Sequence, residues 1–106
     1  MPFWRKTVKQ GSTHASVPTD RPERYGKQLV NHMGRRYGGE WSAEQGAGWI
    51  KLGADGRASV TAADGSLELD ITGPVAQLPQ LEQVVGSHLE RFGDRDELRV
   101  AWTRAN

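Results

Sequence analysis

The clearest hydrophobic pattern in the chain lies near its C-terminal end. Pro79 suits the first turn of a helix, because that position needs no N–H donor. After it, one apolar face recurs at spacings of three and four: Leu81, Val84, Val85, His88, Leu89 and Phe92. This spacing predicts a helix that ends at Gly93. Beyond it, apolar and polar residues alternate over residues 98–102, which predicts a final strand containing Leu98, Val100 and Trp102.

An earlier helix has a similar apolar face. Its members recur every four residues: Tyr25, Leu29, Met33 and Tyr37. His32 lies on the same stripe, about 20° from the first of these on a helical wheel. Asp20, followed three residues later by Glu23, predicts a capped N-terminus. Before the helix, Thr13–Pro18 predicts a short edge strand, because a proline cannot donate to a strand ladder.

Four short segments between the helices alternate as strands do: Trp41–Gln45, Gly48–Leu52, Arg57–Ala62 and Leu67–Ile71. Short breaks with Asp-Gly steps separate the last three, which predicts hairpins and antiparallel neighbours. We therefore predict an α+β two-layer sandwich with the order (β)-α-β-β-β-β-α-β. Both helices would cover one face of an antiparallel sheet. The other face would present solvated charges of both signs.

Length and composition are those of a single ordinary domain. The chain has 106 residues, enough for one core, and its net charge of +1 gives little bulk attraction to nucleic acid or membranes. The absence of cysteine excludes disulfides and thiolate sites. We expect a loosely ordered basic and aromatic leader over residues 1–12 and one domain over residues 13–106. We also expect a cytoplasmic monomer or homodimer that binds a small molecule or a protein, not nucleic acid or a membrane.

Two histidines offer the most chemistry. His32 and His88 lie on the apolar stripes of helices that would share one sheet face, so their rings could approach each other. One interpretation is a pair of neutral, hydrogen-bonded core histidines. The other is a shared metal or acid–base site, although the spacing matches no H-E-x-x-H pattern. The candidate ligand-binding residues are His32, His88, Tyr25 and Arg91, with no catalytic residue or cofactor assigned.

Three segments of the chain resemble those of a known protein family: residues 17–36, 65–72 and 81–102. The first contains Tyr25, Gln28-Leu29 and His32, and the last contains a His-Leu-x-Arg-Phe run from His88 to Phe92 with a closing Trp102. Over roughly residues 15–103, the chain resembles the small bacterial domain-of-unknown-function family 2218. The resemblance implies a link to bacterial iron handling, since similar domains occur beside or fused to siderophore-interacting reductases.

Two functional hypotheses follow from the residues and the resemblance. The first is a binding or accessory module for a small ligand or a protein partner, linked to iron and siderophore handling. The second is a small enzyme or metal-binding protein that uses the histidine pair.

Overall fold

The computed structural model describes residues 9–105. Its main elements are β1 (Gln10–Pro18), α1 (Pro22–Tyr37), β2 (Gly39–Ser42), β3 (Ala47–Leu52), β4 (Gly56–Ala63), β5 (Ser66–Pro74), α2 (Leu78–Phe92) and β6 (Thr103–Ala105). The strands form one antiparallel sheet in the order β2-β3-β4-β5-β1-β6. Both helices pack on one face of it. The predicted α+β architecture is confirmed.

The core lies between the sheet and the two helices. Buried and exposed residues alternate along the inner strands, as expected when only one face is covered. The largest fully buried side chains are Leu29, Met33, Ile50, Leu67, Leu69, Ile71, Leu78, Leu89, Val17, Val30, Val60 and Val85. The intervening strand residues lie on the opposite face, which no element of the described chain covers. We term this the open face.

Strand β1 is an internal strand, so the prediction of an edge strand is wrong. It pairs with β5 along its whole length and with β6 through residues 12–14. It also begins at Gln10, three residues earlier than predicted, which takes residues 10–12 into the sheet. Pro18 is tolerated because it is the last residue of the strand. Of the rest of the predicted leader, Lys9 lies outside the strand, and residues 1–8 lie outside the described residues.

The predicted final strand over residues 98–102 is also wrong. This segment, termed the strap, joins no ladder, and pairing begins only at Thr103. Leu98 is buried, and Val100 and Trp102 pack half-buried against the core. The Val100 N–H donates to a carboxylate oxygen of Glu90 at 2.9 Å, which replaces the bond that a neighbouring strand would supply.

Several element ends differ from the predictions as well. Helix α1 begins at Pro22, and Arg21 precedes it without a side-chain cap, so the predicted cap at Asp20 is wrong. The Arg21 N–H instead donates to the hydroxyl of Thr19 at 3.1 Å. The hairpin between β4 and β5 turns at Gly65, where φ is +80°, as its Asp-Gly step predicts. No helix of the described chain is long and apolar enough to cross a membrane.

Candidate functional site

The rings of His32 and His88 meet where α1 and α2 lie beside each other. Their centroids are 5.3 Å apart, with 45° between the ring planes. The Phe92 ring packs edge-on against His32 at a centroid distance of 5.1 Å. The two helices therefore bring the histidines together, as their periodicity predicts. His32 is exposed and His88 half-buried, so neither is the fully enclosed core histidine of the first interpretation.

A backbone hydrogen bond selects the tautomer of His88. Its Nδ1 lies 2.6 Å from the carbonyl oxygen of Val84. A carbonyl oxygen can only accept a hydrogen bond, so Nδ1 carries a proton. When the ring is neutral, Nε2 is consequently the unprotonated nitrogen, which can accept a hydrogen bond or coordinate a metal.

Two adjoining depressions open beside the histidine pair, and His32 lines both. The larger, of about 390 Å³, is lined by Arg24, Lys27, Gln28, Asn31, His32, Arg35 and Phe92. The smaller, of about 160 Å³, is lined by His32, Met33, Arg36, Tyr37 and His88. We term them together the helix groove. Its described lining contains four arginine and lysine side chains and no aspartate or glutamate, so its chemistry favours an anion.

The other two candidate residues lie outside the helix groove. Tyr25 is buried, and its hydroxyl donates a hydrogen bond to Asp96. This hydrogen bond, together with burial, raises the pKa of Tyr25. Arg91 is exposed and lines neither depression. Helical periodicity therefore predicts that the two histidine rings approach each other, as observed. It gives no signal for the four cations of α1 that line the groove, because they resemble any exposed charges on a helix.

The helix groove offers few ligands for a metal ion. Within residues 9–105, no group of three or more histidine, cysteine, aspartate or glutamate side chains is arranged to hold one. Protein zinc sites use three or four ligands from the chain. The histidine pair alone supplies two at most, so an ion bound there would need further ligands from a bound molecule or from water.

A third histidine lies in a polar cluster on the open face. His14 stands directly opposite Asp70 across β1 and β5. Its Nδ1 lies 2.7 Å from Asp70, and its Nε2 lies 3.0 Å from Glu68. Ser16 and Ser66 each donate to the other oxygen of Glu68 at 2.6 Å. The sequence assigns no role to His14, because this cluster depends on a strand register that local patterns do not show.

Comparison with known proteins identifies the family. Residues 14–103 match the family model DUF2218, "Uncharacterized protein conserved in bacteria", and the chain therefore belongs to this bacterial family. The fold is similar to the NMR structure of PA4090 from Pseudomonas aeruginosa, with a TM-score of 0.66 and 24% sequence identity. That match covers 88% of this chain and 95% of the other. No curated protein matches the chain significantly.

Proposed function

We propose that this DUF2218 protein is a non-enzymatic binding module that holds a small anionic ligand in the helix groove. One observation carries the proposal: the two depressions that share His32 are lined by four cationic side chains and by no carboxylate among the described residues. Guanidinium groups form charge-assisted hydrogen bonds to oxyanions, often through two parallel bonds. His88, which lines the smaller depression, adds a polar ring to the groove. We expect the module to act in the cytoplasm.

The family resemblance suggests which anion to test first. Its implied link to siderophores makes an iron chelate with several carboxylate groups the ligand class that we propose. Such a chelate carries negative charge and presents the oxygen atoms that Arg24, Arg35 and Arg36 are suited to bind. Ferric citrate is a simple probe of this class, with citrate and inorganic phosphate as iron-free comparisons.

Titration of the full chain with these three anions, followed by NMR of backbone amides and histidine rings, tests the proposal. We expect ferric citrate to broaden the signals of His32 and His88, because high-spin Fe(III) is paramagnetic, and iron-free citrate to shift them. The double variant Arg35→Gln/Arg36→Gln should bind ferric citrate at least about tenfold more weakly, equivalent to about 1.4 kcal/mol. Arg91→Gln/Arg95→Gln is the matched control, because it removes two exposed cations that line neither depression. An equal loss in this control, or no binding of any of the anions, would contradict the proposal.

The second candidate is a small enzyme or a metal-binding protein that uses the histidine pair. The observation in its favour is the proximity of the two rings, together with the unprotonated Nε2 of neutral His88. Elemental analysis of the purified protein after gel filtration separates the two candidates. Stoichiometric metal that is lost in His88→Gln would favour the second, whereas anion binding by metal-free protein would favour the first.

A further inference from the structure

Two cations on the open face stand directly opposite each other. Lys51 on β3 pairs with Arg57 on β4 in the antiparallel register, and both side chains are exposed. Like charges at opposing positions destabilise a sheet. Neither residue belongs to any ion pair among residues 9–105. The repulsion between Lys51 and Arg57 is therefore unfavourable for this fold, and natural proteins keep such unfavourable local features mainly at functional sites.

An aromatic ring orients one of these cations. The guanidinium carbon of Arg57 lies 4.7 Å from the centre of the Trp49 ring, in cation–π geometry. Trp49 is half-buried and points to the same face as Lys51, two residues further along β3. Because the stack already restrains the guanidinium, less conformational entropy is lost when Arg57 binds a ligand.

A depression of about 500 Å³ lies beside these three residues. It is lined by Gln10, Trp49, Lys51, Ala54, Asp55, Gly56 and Arg57. We term it the sheet groove, and its volume falls in the range of small-molecule sites. It lies on the opposite face of the sheet from the helix groove. The lining thus combines two cations, one aromatic ring, one amide and one carboxylate.

We propose that the sheet groove binds a phosphate monoester that carries a planar ring, such as a nucleoside monophosphate. A phosphate monoester bears a charge of about −1.5 to −2 at neutral pH, which matches Lys51 and Arg57 together better than a single carboxylate does. The guanidinium donates two parallel bonds to phosphate oxygens, and the ammonium adds a compact second charge. The planar ring packs against the part of the Trp49 ring that Arg57 does not cover. Asp55 accepts a hydrogen bond from a ligand hydroxyl, as a ribose would offer.

Titration of the full chain with adenosine monophosphate tests this site. The readouts are the NMR signals of the Trp49 indole N–H and the Arg57 Nε–H. We expect both to shift, with at least about tenfold tighter binding than inorganic phosphate, adenosine or benzoate shows. The proposal is overturned if the nucleotide leaves both signals unmoved or shifts only His32 and His88. Tighter binding of benzoate would overturn the choice of phosphate over carboxylate.

Substitution of Lys51 distinguishes a role in nucleotide binding from a role in stabilising the fold. Lys51→Gln should weaken nucleotide binding about fivefold or more. It should also raise the urea midpoint of unfolding, because it removes the repulsion from Arg57. Arg91→Gln makes the same change of charge outside both grooves and should leave nucleotide affinity unchanged. A Lys51→Gln protein that binds the nucleotide as tightly as the wild type would overturn the proposal.

Discussion

At the scale of single residues, His14 is held by two carboxylates that the strand register brings to it. Asp70 lies directly opposite on β5, and Glu68 lies two residues away on the same face. An ionised carboxylate only accepts hydrogen bonds, so both ring nitrogens donate when His14 is protonated. The hydrogen bond to Asp70 is the main cause that raises the pKa of His14. The hydroxyls of Ser16 and Ser66 lower the pKa of Glu68.

We predict that His14→Gln destabilises the protein in mildly acidic solution and much less in alkaline solution. The pKa of folded His14 lies above its unfolded value of about 6.5, so its stabilisation is complete below that pH. The stabilisation is lost as the pH rises through the folded pKa. The side chain is 46% exposed, which limits the effect to about 1 kcal/mol or less. Urea unfolding of both proteins at about pH 6 and about pH 9 measures it.

The variant Asp70→Asn supplies the control for this prediction. It removes the main partner of His14, so the pH-dependent effect of His14→Gln should shrink in that background. An unchanged effect would show that Asp70 is not its cause. Glu68 has the opposite pH dependence, because its pKa is lowered in the folded protein. Its ionised form stabilises the fold above about pH 4.5, and that stabilisation is lost as the pH falls through the folded pKa of Glu68.

At the scale of elements, Gly26 sets how closely α1 approaches the sheet. A Cβ at this position would lie 2.7 Å from Cη2 of Trp41 and 3.1 Å from Cδ1 of Leu67. Alanine is ordinarily favoured over glycine within a helix by about 1 kcal/mol. Here the steric conflict outweighs that preference, because the Trp41 ring is part of the packed layer between α1 and β2.

We predict that Gly26→Ala lowers the free energy of unfolding by about 1–3 kcal/mol, the usual cost of overpacking. Asn31→Ala, at an exposed position of the same helix, gains helix propensity without a clash and should change stability little or raise it slightly. Urea denaturation of the three proteins compares them. A Gly26→Ala protein more stable than the wild type would mean that α1 packs less closely than described.

The sequence predicts elements well where the signal is local. The apolar face of α2, with its spacings of three and four, and the alternation of β5 both fall within the observed helix and strand. Helical periodicity also placed His32 and His88 on stripes that face each other. Prediction from the sequence fails where an element pairs with a strand that is distant along the chain. The internal position of β1 depends on β6 at the opposite end of the chain. The cations of the helix groove give no local signal, because an exposed arginine on a helix looks the same with or without a groove beside it.

At the scale of the whole molecule, the strap shows that alternation of apolar and polar residues does not distinguish a strand from an extended segment outside the sheet. Leu98, Val100 and Trp102 face the core at a spacing of two, as strand residues would. The same spacing arises when a segment packs its alternate side chains against a helix. The close approach of the strap to α2 depends on Gly86 within the helix and on Gly93 directly after it. A Cβ on Gly86 would lie 3.2 Å from Nε1 of Trp102, and one on Gly93 would collide with Leu98. The strap thus completes the core without extending the sheet.

We therefore predict that Leu98→Ala lowers the free energy of unfolding by about 2–4 kcal/mol, although Leu98 lies outside every helix and strand. Leu98 is only 4% exposed, so the substitution leaves a cavity beside the end of α2. Ala101→Gly is the matched control, because Ala101 is an exposed residue of the strap. This substitution should lower the free energy of unfolding by less than about 1 kcal/mol. Urea unfolding monitored by tryptophan fluorescence measures both. If Leu98→Ala costs no more than its control, the strap lies on the surface of a core that is complete without it.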